Sequence, residues 1–180
     1  DAAGRCLNNV PATQLQTDIQ AGTLPNFMLF TPNMNNNGHD TGITYAGNWL
    51  ASFLPPLLAA PGFMNGTLVI ITFDEGDTHS TPENNKIYTL LIGEGVPAGV
   101  KTSQRYDHYS LLRTIEDNFG LGTLGRNDLT ATPVNFTLYD VIQPSAPTAT
   151  TPLTPMAATQ PKSRVASACS VASSFALLFG

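Results

Sequence analysis

A mixed α/β fold, with a mainly parallel sheet and flanking helices, is predicted by three features of this chain. Two short runs, TLVIITF (67–73) and KIYTLLIG (86–93), are almost continuously apolar, as strands covered on both faces are. Segments with helical apolar spacing lie before and after them. The two patterns alternate over residues 1–143, the order that packs helices onto one sheet.

The elements follow in order. VPATQLQTDIQAG (10–22) places Pro11 near a first turn and Gly22 at an end, which predicts a short helix. PNFMLFTPN (25–33) reads as a strand running into the polar loop NMNNNGHDTG (33–42). TYAGNWLASFLPPLLAAPG (44–62) is helical through Trp49, Phe53 and Leu54, and the expectation is that Pro55-Pro56 interrupts it. YDHYSLLRTIEDNFGLG (106–122) is the strongest helix: Leu111, Leu112, Ile115 and Phe119 form the stripe expected to be buried, Glu116 and Asp117 are expected to face out, and Gly120 ends it.

In α/β sheets ligands sit beyond the carboxyl ends of the strands. Two polar stretches occupy such places, NNNGHD after the first strand and DEGDTHS after the second. If the two strands are parallel neighbours, these stretches lie side by side. Asp74 and Glu75 offer the oxygen ligands that hard cations take, half of a metal site; a solvated turn around Gly76 explains them equally well. Asp77 and His79 read as exposed loop. His39 is suited to donate to an oxygen, act as a general acid or ligate metal, with Asp40 orienting its ring. An asparagine-rich turn that satisfies its own backbone is the plainer reading. His108, on a first helical turn, more often packs or caps than catalyses. No Gly-x-Ser-x-Gly elbow and no glycine-rich phosphate loop is present.

Composition bounds the remainder. Hydrophobic residues make up 42 % and charged residues 12 %, and the net charge is −5, a globular composition with a sparsely charged surface. The eight Lys and Arg are scattered, which argues against a nucleic-acid partner. Cys6 and Cys169 either pair with each other or leave Cys6 to a partner outside the chain. Without a Cys-x-x-Cys spacing, a thiolate zinc site is not expected. The start carries no initiator Met or signal peptide and is read as lying within a longer precursor. Residues 144–161 are Pro, Thr, Ala and Ser rich, an extended linker. Residues 162–180 read as a disordered tail or as a removable lipid-anchor signal, the only link to a membrane. Sequons at Asn65 and Asn135 fit a glycoprotein that is secreted or held at the cell surface or wall.

Three segments, PNMNNNGHDTGITYAGNWL (32–50), LVIITFDEGD (68–77) and RYDHYSLLRTIEDNFGLG (105–122), stand in this order. Through them residues 24–128 resemble the carboxyl-terminal part of the phosphoesterase family that holds fungal secreted acid phosphatases and bacterial phospholipases C. The resemblance implies part of an alkaline-phosphatase-like fold. It implies that Asp74 and Glu75 bind one divalent metal, of unspecified identity. It places His39 near the transferred phosphoryl group, to stabilise it or to protonate the leaving alkoxide. Asp40 and His108 would stand behind the ligands or contact phosphate, and Arg113 and Glu116 would be structural. The family's Glu-Asn pair and its Ser or Thr nucleophile come from an upstream segment, which DAAGRCLNN (1–9) does not match. The resemblance therefore implies an acid phosphatase acting on phosphomonoesters, of which this chain by itself would be inactive and bind metal weakly. The alternatives are a phospholipase C-like phosphodiesterase and a non-catalytic glycosylated surface protein.

Overall fold

At the centre of the first part of the chain is a strand, β2 (Leu68–Phe73), whose residues are buried on both faces as far as Thr72. In the computed structural model, residues 7–76, 85–134 and 175–179 are described. Asp77, His79, Asn135, both cysteines and the 144–161 linker lie outside them. The chain divides into two compact units, Asp1–Gly93 with Leu153–Gly180, and Glu94–Pro152. Among the described residues no helix is long and apolar enough to cross a membrane.

In the first unit, helix α1 (Thr13–Ala21) ends on Gly22, whose φ of 65° lets its amide reach back to the last turn. Strand β1 (Met28–Phe30) follows, then helix α2 (Ile43–Leu58), β2 and strand β3 (Thr89–Gly93). The predicted interruption at Pro55-Pro56 does not occur, since α2 runs through both prolines. Each interior proline costs a helix about 3 kcal/mol. Both are exposed, so the carbonyls they leave unpaired can face water, while Leu57 beside them is buried and Phe53 and Leu54 pack on the core. Burying these side chains, at roughly 1.5–3 kcal/mol each when complete, offsets the break. The core joins Leu15, Leu57, Phe63, Val69 and Ile71, with Met28, Phe30, Trp49, Phe53, Leu90 and Ile92 packed against it. Phe30, Trp49 and Phe53 form an aromatic cluster with centroids 4.7–6.4 Å apart, which fastens β1 to α2.

The helices and the sheet make a mixed α/β arrangement, as predicted, but the sheet is not mainly parallel. Its order is β1–β4–β2–β3 and every pairing is antiparallel. β4 is Phe175–Phe179, in the tail segment. It enters between β1 and β2, pairing Phe30 with Leu177 on one side and Ile71 with Leu177 on the other. β1 and β2 therefore do run in the same direction, with one strand between them. Apolar runs report burial, not neighbours, and β3 shows the difference: among the described residues it is a half-buried edge strand paired with β2.

In the second unit, helix α3 (His108–Phe119) is started by a capping box. The Asp107 carboxylate accepts the Ser110 amide, and the Ser110 hydroxyl accepts the Asp107 amide. Gly120, with φ 62°, closes it as predicted. The buried side is not the predicted one. Ser110, Thr114 and Glu116 are its most buried residues, whereas Leu111, Leu112, Ile115 and Phe119 are half-buried. The cause is the return of the chain along the helix. The Val134 amide donates to Thr114 Oγ1 at 2.8 Å, and Arg113 donates to the Leu129 carbonyl and to Asp117. Glu116, expected to face out, is 4 % exposed, and its Oε2 accepts no hydrogen bond among the described residues.

Candidate functional site

The loop after β1 is built by its own asparagines. The Asn33 carbonyl accepts the Asn37 amide at 2.9 Å and Asn33 Oδ1 accepts the Asn36 amide at 3.0 Å. Asn37 is 2 % exposed, and its Oδ1 accepts the His39 amide at 2.8 Å. The Asp40 amide donates to the Met34 carbonyl, and the Thr41 hydroxyl to that of Asn35. Gly38 has φ 91°, and a Cβ on it would stand 3.2 Å from the Ala46 Cβ, so glycine is needed both for the turn and for its approach to α2. This lattice of bonds carries one imidazole outward. His39 Nδ1 lies 2.8 Å from Asp40 Oδ1, with both side chains about half exposed. A carboxylate can only accept, so Nδ1 donates to it, and Nε2 is the nitrogen left to face a ligand.

The turn after β2 is sparser. Asp74 Oδ1 accepts the Glu75 amide at 3.0 Å, and the Gly76 amide donates to Asn85 Oδ1 at 2.6 Å. A Cβ on Gly76 would come within 2.8 Å of the Lys86 carbonyl oxygen, so any other residue there forces the backbone to shift. Asp74 and Glu75 are exposed. Their carboxylates are the right donors for a hard divalent cation, two oxygen ligands that waters and further groups would complete. Among the described residues no cluster of three or more His, Cys, Asp or Glu is gathered that could hold a metal ion. The donor chemistry thus fits half of a metal site.

Topology brings these two stretches to one edge of the sheet. β1 and β2 are both antiparallel to β4, so their carboxyl ends, and the loops that follow, leave on the same side. At the level of Phe30 and Ile71 the two strands are two strand spacings apart, about 9–10 Å. Asn65, the first sequon, is exposed in a turn.

His108, in the second unit, is the exposed first residue of α3. Capping falls to Asp107, not to His108. The loop that follows α3 is tied by Asp128, which is fully buried and accepts the Leu124 amide at 2.6 Å and the Arg126 amide at 2.9 Å. Burial alone would raise its carboxyl. The amide donors around it, those of Arg126, Leu124, Asp128 and Gly125, outweigh burial and hold it below the ordinary value of 3.8.

Sequence reasoning singled out neither Asn37 nor Asp128. For Asn37 a signal existed, an asparagine two residues before an amide at a tight turn. Asp128 had only the loop composition of GLGTLGRND (120–128) around it.

The model of the Phosphoesterase family matches residues 3–122, which include His39, Asp40, Asp74, Glu75 and His108. The chain belongs to the Phosphoesterase family. It is 44 % identical over 119 residues to a phosphate-repressible acid phosphatase of Penicillium chrysogenum, a match covering 64 % of this chain and 28 % of that protein. It is 45 % identical over 114 residues to a probable acid phosphatase of Kluyveromyces lactis, 62 % of this chain and 27 % of that one. With an acid phosphatase of Aspergillus fumigatus it shares 38 % over 139 residues, 72 % and 31 % of the two chains. The chain thus spans less than a third of the length of the curated relatives it matches. No solved structure matches it.

Proposed function

We propose that this phosphoesterase chain contributes the metal-binding and proton-handling edge of an acid phosphatase that releases phosphate from phosphomonoesters. The observation that carries the reading is the family match over residues 3–122, which spans both the His39 loop and the Asp74 turn. The relatives are named acid phosphatases, which supports the substrate class.

In this reading Asp74 and Glu75 would hold the divalent cation. When bound, that ion supplies positive charge against the phosphoryl oxygens. His39 works from the neighbouring loop. Asp40 holds Nδ1, so Nε2 is aimed outward to donate to a phosphoryl oxygen or to give a proton to the departing alkoxide. The Asn37 bond to the His39 backbone keeps that nitrogen in place without touching the substrate. For His108 the proposed role is to stand behind a ligand or to contact phosphate. Asn65 and Asn135 would carry glycans on a protein that is secreted or held at the cell surface or wall. The attacking hydroxyl belongs to another part of the family's domain, so the 180-residue chain by itself is expected to be inactive.

The test uses the longer protein that carries this segment, with p-nitrophenyl phosphate, an alkyl phosphomonoester and phosphatidylcholine as substrates. Asp74→Ala should abolish phosphomonoester turnover while the folded far-ultraviolet signal persists. His39→Ala should cost more with the alkyl ester, whose leaving group needs the proton, than with the aryl ester. Turnover of phosphatidylcholine in preference to the monoesters would give the site to phosphodiesters. An active Asp74→Ala protein would remove this edge from the reaction.

A further inference from the structure

The chain holds two Asn-Gly dipeptides, Asn37-Gly38 and Asn65-Gly66. In such a pair the glycine nitrogen can close a five-membered ring on the asparagine side-chain carbonyl carbon. Glycine has no Cβ to shield that nitrogen or to restrict the backbone as the ring closes.

The fold treats the two pairs differently. Asn37 is 2 % exposed. Its Oδ1 accepts the His39 amide, which fixes the plane of the side-chain amide, and its Nδ2 lies 3.7 Å from the Met34 sulfur. A thioether has no proton to give to a departing nitrogen, and burial keeps out the water that could supply one. Asn65 is the opposite case. It is exposed, in the turn that leads into β2. The bonds of that turn bypass the reacting groups. The Asn65 amide donates to the Gly62 carbonyl, the Thr67 amide to that of Met64 and the Thr67 hydroxyl to that of Phe63. Among the described residues, neither the Asn65 side chain nor the Gly66 amide has a hydrogen-bond partner. A Cβ built on Gly66 would meet nothing within 4 Å, so the space around the glycine is open.

We propose that Asn65 is a site of spontaneous deamidation in the folded chain, and that the fold protects Asn37 from the same reaction. The Gly66 nitrogen bonds to Asn65 Cγ and gives up its proton. The Cγ–Nδ2 bond breaks, and the nitrogen leaves as ammonia with a proton from water. A second water opens the succinimide, at one carbonyl to give aspartate and at the other to give isoaspartate, whose main chain passes through the side-chain carbons. Either product adds a negative charge to the turn and removes the Asn65-Gly66-Thr67 sequon. Where Asn65 carries the glycan proposed above, its Nδ2 is bonded to sugar and this route is closed. The chemistry does not depend on the phosphatase reading.

The full chain, made without glycans, tests it. The folded protein is incubated at mildly alkaline pH and cut at aromatic residues, and the Asn, Asp and isoaspartate forms of each peptide are separated by chromatography and mass spectrometry. The Asn65 peptide should convert, with isoaspartate in excess, about tenfold or more faster than the Asn37 peptide, the factor that one retained hydrogen bond supplies. In urea the two should convert at comparable rates, and a gap that persists there would show that the fold is not what protects Asn37. Asn65→Gln should remove most of the ammonia that the folded chain releases. A folded chain in which Asn65 stays intact overturns the proposal, whatever happens in urea. So does a folded chain in which Asn37 converts as fast as Asn65.

Discussion

Asn37 and Asp128 perform the same task in two regions of the molecule with different chemistry. Each is a buried side chain whose oxygen accepts nearby backbone amides, that of His39 for Asn37 and those of Leu124 and Arg126 for Asp128. Asn37 is neutral and holds one. Asp128 is a carboxylate that holds at least two, and their donors keep its proton off more readily than in water. The comparison teaches that a loop can be stapled by a titrating or a non-titrating acceptor, and that the loop carrying His39 uses the one that acid cannot undo.

The sharpest way to break the comparison is Asp128→Ala. It leaves two amides, those of Leu124 and Arg126, without their shared acceptor, so protection from hydrogen exchange in the 121–134 segment should fall sharply. Asn37→Ala strands one, the His39 amide, at a part-buried bond whose net loss costs about 0.5–1.5 kcal/mol. The exchange of the His39 amide should accelerate roughly two- to tenfold. Equal effects of the two substitutions would erase the distinction.

Acid should separate the two regions without any substitution. A carboxyl held below its unfolded value of 3.8 contributes stability that is complete above that value. It is lost as pH falls through the folded one. Exchange at Leu124 and Arg126 should therefore be level from about pH 6 to about pH 4 and rise below it, after correction for intrinsic rates, and Asp128→Asn should remove that rise. The His39 amide should show no such step from Asn37.

Gly76→Ala probes the sparser turn. The new Cβ meets the Lys86 carbonyl oxygen, and relief requires breaking the Gly76–Asn85 bond, at a cost of about 1–2 kcal/mol in urea denaturation. Asp40→Ala should be the mildest. It frees the His39 ring at a surface pair and should alter stability by less than about 1 kcal/mol, while lowering turnover in the longer protein.

Much of this arrangement was legible residue by residue. Gly22 and Gly120 mark helix ends because the left-handed backbone there favours glycine. LVIITF announces a buried strand by having almost nothing polar to expose, and NNNGHD announces a turn by its side-chain amides. Other features were hidden because local pattern does not report packing. Pro55 and Pro56 forecast a break, yet their exposed position and the burial of Leu57 let α2 continue. Glu116 forecast a solvent face, yet α3 turns its Ser110, Thr114 and Glu116 side inward.

Local conformation and donor chemistry, then, were decided by the chain alone: where α1 and α3 end, which stretch is a strand, and which loops hold an imidazole and two carboxylates. Those follow from φ preferences, capping groups and side-chain hydrogen bonds within a few residues. Tertiary structure alone decided which strands are neighbours and which helix face is covered. β4 reaches its slot from beyond residue 134, and no periodicity in β1 or β2 records who bonds to their edges, because every strand offers the same amides and carbonyls.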